Sequence, residues 1–512
     1  MTTVSLPNTN FNILPAQQAA QTQPHRVLIT GVMLSGTAST GTLVTDVGSA
    51  GEEDALFGAK SHIAMMIRNF KRYNPLTPVD AIGYTNAGGT AATGTIAFSG
   101  TATAAGTIYV TTGSAVDHKY ALNVAVGDTA TNVGDALVAA LAADAHGCMT
   151  GVNTTGSVAL TAANKGTVGN NLTLEVTGLP AGITASITAM SSGATDPTIT
   201  GLSTLIDNRR YQGVVYPGTW ATSTIDSLMD ARLNVQNNVL DGVAIMCKVD
   251  SHSNLLSWIV GLNNPLVVGF GEPLVARTAL KGAAHREFAD GLAAKFAAIR
   301  ALRLTADLNI ANYVISTNNG LDQFGGRHTA SLPYFNTPMA NVPLITQGDG
   351  FTPSQVASLK AACVSVIGNN IANNTTIVGE VVTTYLTDVA GNSNTSFKYL
   401  ENIDTMLAIR EYFWVSARAQ YAQCRLTDGN LIPGYTMANR DSIKAFMVGL
   451  YNDMADEALL QAGEDAIKFF KQNMLVTLNL QTGTVTIDMR VPVVVQLRTI
   501  NANLRISFDT NS

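Results

Sequence analysis

Histidine and cysteine are the side chains of this chain best suited to bind a metal or act as nucleophiles, and their spacing favours neither role. The histidines are dispersed along the sequence and show no HExxH pattern. The cysteines lie far apart without a CxxC pair, which favours buried thiols and synthesis in a reducing compartment. We therefore expect surface or capping histidines and no metal site. The residues concerned are His25, His62, His118, His146, His252, His285 and His328, with Cys148, Cys247, Cys363 and Cys424.

Two glycine-containing stretches invite a cofactor or nucleophile interpretation, and neither fits. Gly269–Gly271 follows an apolar strand, as a dinucleotide-binding loop would, but Pro273 stands where a helix should open and no third glycine follows. Ser39 lies within Gly36–Gly41 without the GxSxG spacing of a nucleophile elbow. No GxxxxGK[ST] sequence is present, which disfavours a nucleoside-triphosphate motor. We expect no catalytic residues and no cofactor, while an α/β enzyme with a decorative β-domain stays open because catalytic triads have no fixed residue order.

The overall composition is that of a folded protein with an unusually uncharged surface. The 512 residues are 46% hydrophobic and only 13% charged, which suggests packing against other subunits. A net charge of −6 argues against nucleic acid or an anionic membrane as the main partner. No stretch supplies about eighteen uninterrupted apolar residues, and the first residues lack the pattern of a cleaved signal, so we expect no membrane insertion and no export.

The elements that would position any site begin as a β-α-β unit and resume as alternating strands and helices. Arg26–Leu34 and Val79–Tyr84 are apolar strands around a helix at Ser61–Tyr73. Short apolar runs then alternate with helical stretches, which predicts an α/β fold with a helix-covered, mostly parallel sheet over residues 25–85 and 196–350. These later runs are Gln212–Tyr216, Gly242–Cys247 and Pro265–Phe270, with helices near Thr222–Asn237, His252–Leu262 and Gly282–Leu304.

Residues 86–195 differ sharply in composition from the sequence on either side. They are rich in Gly, Ala, Thr and Ser and contain no arginine. Short alternating strands and one helix, about Thr131–Ala143, predict a β-rich domain inserted on the outside of the body. A low-complexity linker is the alternative interpretation, and a surface-layer or adhesin-like protein is a further functional hypothesis that this module suggests.

Residues 351–498 form a predicted C-terminal domain dominated by helices. Thr352 and Pro353 suit the start of a helix that runs to Gly368. A strand is predicted at Thr376–Thr387, and further helices at Phe397–Tyr421, from Asp441, and at Asp456–Gln472. The last helix carries exposed charges that are acidic early and basic late, which suits the helix dipole. Those charges are Glu457, Glu464, Asp465, Lys468 and Lys471.

The end of the chain alternates strongly enough to predict a β-hairpin and one further strand. With a loop of Gln481–Thr484, Leu480 faces Val485, Leu478 faces Ile487 and Val476 faces Met489. The final strand, in an arm of residues 499–512, cannot hold itself alone and needs a sheet to join. A polar arm of residues 1–24 has sparse apolar contacts. The apolar residues of the two arms are Val4, Leu6, Phe11, Ile13, Ile500, Leu504, Ile506 and Phe508.

Several stretches, taken in order, resemble the tail sheath proteins of contractile bacteriophage tails, in particular the Mu-like branch. Each motif is structural, and the ordered set covers most of the chain. The stretches are Ala55–Ser61 with the helix to Pro75, AGGTAATGTIAFSGTATAAGTIY from Ala87, KGTVGNNLTL from Lys165, RYQGVVYP from Arg210, VGEVVTTYLTDVAGN from Val378, and VVVQLRTINANLRISF from Val493.

This resemblance implies a non-enzymatic virion protein that forms six-fold rings stacked helically around a tail tube. It implies that the sheath assembles in the host cytoplasm, contracts from an extended metastable state when the baseplate triggers it, and drives the tube through the host envelope for genome ejection. Its partners would be further copies of itself, the tail tube protein, and the baseplate and tail terminator proteins. The arms would add strands to the hairpin sheet of neighbouring subunits, and the charged helix at Asp456–Gln472 would face the tube.

Overall fold

The computed structural model describes residues 25–48, 51–113, 118–233, 235, 239–274, 288–304, 334–345, 350–370, 375–456 and 458–495. Two compact units divide them: a body unit, His25–Leu407, and a C-terminal unit, Ala408–Val493. In the described ranges no helix is long and apolar enough to cross a membrane.

Strands and helices are numbered separately along the chain. The strands are β1 Val27–Met33, β2 Leu43–Val44, β3 Val79–Thr85, β4 Ala91–Gly100, β5 Gly106–Thr112, β6 Lys119–Val124, β7 Met149–Thr154, β8 Ser157–Lys165, β9 Leu174–Thr177, β10 Ile183–Ser191, β11 Gly213–Val215, β12 Val243–Asp250, β13 Val267–Pro273, β14 Val364–Asn370, β15 Thr375–Val378, β16 Arg425–Leu426, β17 Met437–Ala438, β18 Leu475–Asn479 and β19 Thr484–Asp488. The helices are α1 Glu52–Phe57, α2 His62–Tyr73, α3 Ala130–Ala143, α4 Leu202–Ile206, α5 Thr222–Leu233, α6 His252–Trp258, α7 Ala289–Leu304, α8 Pro353–Ala361, α9 Leu400–Tyr421, α10 Arg440–Asp456 and α11 Glu464–Gln472.

The body unit is built on an eight-stranded sheet in the order β15-β14-β13-β12-β11-β1-β3-β2. All pairings from β3 through β1, β11, β12 and β13 to β14 are parallel, and only the outer strands β2 and β15 run antiparallel. The expected mixed α/β fold with a mostly parallel sheet is therefore confirmed. The central strands are buried along nearly their whole length, which explains why they read as continuous apolar runs.

Helices cover this sheet in two groups. α2 and α7 pack against each other and onto β1, β11 and β12, while α5, α6 and α8 pack onto β12, β14 or one another. α7 is buried from Ala289 to Arg303 because its many alanines let neighbouring backbones approach closely. At the start of α2 the Ser61 hydroxyl accepts a hydrogen bond from the Ala64 N–H, which caps the helix where the sequence begins its apolar periodicity.

The region of residues 86–195 contains two antiparallel sheets, ordered β10-β4-β8-β7 and β6-β5-β9. α3 packs on β7 and begins with a capping box, in which Thr129 and Asn132 bond reciprocally through side chain and backbone. The sequence analysis did not include β7, which has a buried Met149 at its start but an exposed Val152 in its middle and therefore lacks a run of buried apolar residues. Asn164 joins this region to the body, accepting from the His62 N–H at 3.0 Å and donating to the Lys60 carbonyl at 2.9 Å.

The helix expected at Pro353–Gly368 is wrong beyond Ala361. Cys363 has a φ of 66°, which ends α8, and the chain then enters β14 beside β13. The alternating Val364, Val366 and nearby Ile367 suit a buried strand better than a second helical turn. The sheet thus continues past residue 350, where the sequence analysis placed the start of the C-terminal domain, and the compact units instead divide at Leu407.

The helix expected at Asp456–Gln472 is also shorter than predicted. α10 runs to Asp456, and the chain turns at Ala458, whose φ is 59°. Leu459 and Leu460 are buried between the helices, so apolar periodicity continued through a segment that is not helical. α11 then starts after Gly463, and Glu457 lies outside the described residues.

Candidate assembly surface

The hairpin expected near the end of the chain is present, with its register two residues from the expected one. β18 and β19 pair Val476 with Ile487 and Leu478 with Val485, so the loop is 480–483 and not 481–484. The Asn479 side chain accepts hydrogen bonds from the N–H groups of Gln481 and Thr482 at 3.1 and 3.2 Å. Gly483 has a φ of 65°, a conformation that glycine adopts without strain.

These turn contacts decide the register because apolar alternation cannot. A two-residue shift leaves every side chain on the same face, so the pairing of apolar sets is satisfied either way. The expected pairs Leu480 with Val485 and Val476 with Met489 are therefore wrong. Leu480 lies in the loop and is 54% exposed, and Met489 follows the end of β19.

The apolar face of the hairpin is only partly covered. Val476 is 2% exposed, as buried as the nearby Met474 and Phe470, whereas Leu478, Val485, Ile487 and Met489 are half-buried. On the opposite face Leu475 is 62% exposed. α10 packs against β18 and contributes cover to this face. A hairpin with such partial cover has apolar surface left for another element to bury.

Both outer edges of the hairpin are unpaired within the described ranges. β18 and β19 form a two-stranded sheet, with β19 bonded only to β18 in this part of the chain. Unpaired N–H and C=O groups on such edges are a template for a further strand. The arm residues that were expected to provide that strand, in 1–24 and 499–512, lie outside the described residues.

The charged helix predicted beside the hairpin is α11, and the structure exposes its charges. Glu464, Asp465, Lys468 and Lys471 are all exposed, with the acids in the first turn and Lys471 in the last. On the opposite side Phe470 is fully buried and stacks on Tyr451 with ring centroids 4.4 Å apart. This stack fixes which face of α11 reaches solvent.

Tyr451 also joins α10 to the segment before α11. Its hydroxyl donates to the Gln461 carbonyl at 2.8 Å, and burial raises the pKa of this phenol. Gln461 continues the connection, because its N–H donates to the Pro492 carbonyl and its side chain to the Val493 carbonyl. The chain after the hairpin is thereby held against the base of α11.

Several histidines pair with carboxylates, contrary to the expectation of surface or capping histidines. His62 and His118 are buried and lie 2.9 Å from Asp290 and Asp144, respectively. Burial and the nearby Arg210 and Arg300 lower the pKa of His25 to about 3, so this imidazole stays neutral. Sequence spacing could not show these pairs because the partners are distant along the chain.

The remaining histidine contacts fasten elements together. His252 Nε2 lies 2.8 Å from Ser358 Oγ, joining α6 to α8, and the same hydroxyl donates to the Gln355 carbonyl. His146 lies 2.8 Å from Asp54 at an open cavity of about 510 Å³ beside α2. Among the described residues no cluster of three or more metal-ligating side chains occurs.

One buried polar connection was missed by the sequence analysis. Asp404 in α9 accepts from Arg300 in α7 and from the Tyr334 hydroxyl at 2.6 Å. Asp404 and Arg300 are buried, and α9 continues from here into the C-terminal unit. In the sequence, this pair is indicated only by the types of the two residues: Arg300 lies in an Ala-rich helix, and Asp404 lies among apolar residues of α9.

Within the described residues the fold is mixed α/β, and the C-terminal unit presents a hairpin with unpaired edges and a helix with exposed charges. The chain is similar to the Mu-like prophage FluMu tail sheath protein of Haemophilus influenzae, with 29% identity over 273 residues. The match covers 51% of this chain and 55% of the relative, so the chain spans about half the relative's length. The resemblance to Mu-like tail sheath proteins is confirmed.

No family model matches the sequence. Solved structures with a similar fold include the sheath tail protein of Desulfitobacterium hafniense, with a TM-score of 0.48 and 12% identity over 99% of this chain and 100% of that one. The sheath tail protein of Listeria innocua gives 0.45 and 11% over 93% and 94% of the two chains. The helical sheath of the anti-feeding prophage in its contracted state gives 0.47 and 10% over 99% and 100%. These likenesses concern the fold alone.

Proposed function

We propose that this chain is the structural subunit of a contractile tail sheath. Copies would form six-fold rings stacked helically around a tail tube, in an extended metastable state that shortens to drive the tube through the host envelope. The observation that carries the proposal is the hairpin β18–β19, whose two edges are unpaired among the described residues and whose apolar face is half-covered, in a chain similar to a Mu-like tail sheath protein.

The free edges are assigned to arms from neighbouring copies. A strand added to an edge gains main-chain hydrogen bonds, and its alternate side chains reach the apolar face of the sheet. The arms supply such alternation: Val4, Leu6, Phe11 and Ile13 in one, and Ile500, Leu504, Ile506 and Phe508 in the other. Apolar side chains of a joining arm would lie beside the half-buried Leu478, Val485 and Ile487 and extend their apolar face.

The exposed face of α11 is assigned to the tail tube. Glu464, Asp465, Lys468 and Lys471 carry both signs of charge on one short helix, which suits recognition of a patterned surface by complementary charges. Such contacts form quickly and add modest affinity each, so they suit a tube that the sheath must release on contraction.

Contraction in this proposal moves folded units and leaves their interiors intact. The arms, residues 1–24 and 499–512, act as tethers between copies of the body unit, with its inserted domain of 86–195, and the C-terminal unit. The baseplate would start contraction, a tail terminator protein would close the far end, and assembly would take place in the host cytoplasm. Nucleic acid and membrane are not partners of the sheath itself.

Electron microscopy of the purified chain, alone and with a tail tube protein, tests the proposal. We expect rings or tubes of six-fold symmetry in negative stain. Uniform small particles under all conditions, including high protein concentration and presence of the tube protein, would contradict a sheath function.

A further inference from the structure

An open cavity of about 510 Å³ lies in the body unit beside α2. Its walls come from α1 and α2 and from the loop between α3 and β7, so helices of the body and the inserted domain of 86–195 both contribute to it. Small-molecule sites have volumes of about 300–1,000 Å³, and this cavity falls within that range. Sheath assembly as proposed above does not involve the cavity, so its lining requires an explanation of its own.

One wall of the cavity is a row of basic side chains on α2. Lys71 and Arg72 follow Arg68 by three and four residues, so the three side chains lie on one side of this helix. His146, from the loop after α3, adds a fourth basic side chain to the lining. Such a concentration of basic groups in a chain of net charge −6 favours an anionic ligand over a cationic one.

The two acidic side chains of the lining are already bonded to neighbours. Asp54 accepts a hydrogen bond from Arg68 through one carboxylate oxygen, and its other oxygen lies 2.8 Å from His146 Nε2. Glu53 is 2% exposed and accepts from the Gly51 N–H at 3.2 Å. These acids therefore hold Arg68 and His146 in place, and the three cationic side chains of α2 outnumber them.

Lys71 carries a charged amine whose hydrogen-bonding capacity is mostly unused. Its side chain is half-buried, and Nζ donates to the Thr77 carbonyl at 3.0 Å. In the part of the chain that the structure describes, this amine forms no ion pair with a carboxylate. An ammonium has three N–H groups, so two remain for water or a ligand. Burial lowers the pKa of Lys71, while the charges of Asp46 and Glu52 act in the opposite direction, and a bound anion would compensate the desolvation.

We propose that this cavity binds the phosphate group of a small anionic ligand, with Lys71 Nζ as a donor and Arg68 and Arg72 supplying further positive charge. A phosphate carries about −1.5 to −2 charges at neutral pH and offers three acceptor oxygens, so it gains more from a wall of cations than a singly charged carboxylate does. The volume leaves room for an organic group beside the phosphate, and Ile67 gives such a group an apolar contact.

Isothermal titration calorimetry of the full chain at neutral pH tests this site, with phenyl phosphate, inorganic phosphate and benzoate as probes at equal ionic strength. We expect phenyl phosphate to bind. Lys71→Met should weaken this binding roughly tenfold or more, because a charge-assisted hydrogen bond is lost. Lys165→Met is the matched control and should bind as the unmodified chain does. Lys165 Nζ also donates to a backbone carbonyl, that of Ala87 at 2.9 Å, but it does not line the cavity.

Inorganic phosphate distinguishes the two sources of the same chemistry. If it binds as tightly as phenyl phosphate and is weakened equally by Lys71→Met, the site is supported with free phosphate as its ligand. If phenyl phosphate binds more tightly, the site is supported with an organic phosphate as its ligand.

Circular dichroism checks that each variant folds. Should Lys71→Met unfold, Arg72→Met, at an exposed position of the same wall, carries the comparison with Lys165→Met. The phosphate site is overturned if the unmodified chain binds neither phosphate probe, if both lysine variants weaken binding equally, or if benzoate binds as tightly as phenyl phosphate. None of these outcomes bears on the sheath function, which electron microscopy tests separately.

Discussion

Arg300 Nη2 lies 2.6 Å from Asp404 Oδ1, and the two side chains are 2% and 0% exposed. The pair joins α7 to α9, and the Tyr334 hydroxyl occupies the other carboxylate oxygen. Within the body unit, the pair connects α7, which packs on the large sheet, to the start of α9.

Replacing Asp404 by Asn should destabilise the body unit by about 3–5 kcal/mol, because the Arg300 charge would stay buried without its partner. Urea unfolding followed by fluorescence measures this loss. Lys360→Gln is the control: its partner Glu380 is partly exposed, and breaking that pair should cost less than about 1 kcal/mol. A similar loss of unfolding free energy in both variants would contradict the larger contribution expected from the Arg300–Asp404 pair.

Two glycine substitutions should have opposite signs. Gly483→Ala places a Cβ at a φ of 65°, which should cost about 1–2 kcal/mol and loosen the hairpin turn. Gly449→Ala lies in the exposed middle of α10 with open space around it, and should stabilise by about 0.5–1 kcal/mol. Thermal unfolding of both variants measures the two effects. A neutral Gly483→Ala would argue that the turn is not at residues 480–483.

Acid should weaken the inserted domain through Asp144. Burial alone would raise the pKa of this carboxyl, but hydrogen bonds from the Tyr120 hydroxyl, the His146 N–H and His118 hold the pKa below its usual value of 3.8. A lowered pKa in the folded state stabilises the fold above the unfolded pKa, and this stability is lost as pH falls through the folded one.

Asp144→Asn should therefore destabilise the domain by about 1–3 kcal/mol at pH 7, and the difference from the unmodified chain should shrink below about pH 4. Melting curves recorded at intervals of about one pH unit between pH 3 and pH 8 measure this difference in stability. Asp135→Asn, at an exposed position on α3, is the comparison. A difference that stays constant across the whole range would exclude the charge of Asp144 as its cause.

Charge reversal on α11 should reduce assembly on the tail tube. The double variant Glu464→Lys, Asp465→Lys reverses two exposed acids, and we expect markedly lower cosedimentation with tube protein at physiological salt. These acids also stabilise the first helical turn by about 0.3–1 kcal/mol each. The neutral pair Glu464→Gln, Asp465→Asn separates the two effects, since it removes the helix contribution without reversing charge. Unchanged tube binding by a folded charge-reversal variant would contradict the assignment of α11 to the tail tube.

Deleting Thr499–Ser512 should leave a folded body that cannot polymerise. The final strand would then be missing from the neighbour's sheet, while the core of the body unit keeps its own strands. Gel filtration and negative-stain microscopy distinguish a soluble monomer from tubes. Tubes formed by the truncated chain, or an unfolded body, would show that this arm does not serve other copies.

The sequence by itself determined the class of fold and the faces of its elements. Continuous apolar runs in β1, β12 and β13 predicted parallel strands covered on both sides, because only such strands are apolar throughout. The alternation in β18 and β19 predicted a hairpin and its apolar face. The motifs also predicted the similarity to tail sheath proteins, and no pairing geometry was needed for that.

The tertiary structure determined the features for which apolar periodicity allows more than one arrangement. The hairpin register moved by two residues, since Asn479 and Gly483 set the turn while alternation is the same in both registers. Val364–Asn370 is a strand because it pairs with β13. Leu459 and Leu460 are buried in a non-helical segment between α10 and α11, where the sequence analysis predicted continuous helix. Arg300 and Asp404 meet across 104 residues. Contacts of that kind depend on which elements become neighbours in space, and local sequence carries no record of it.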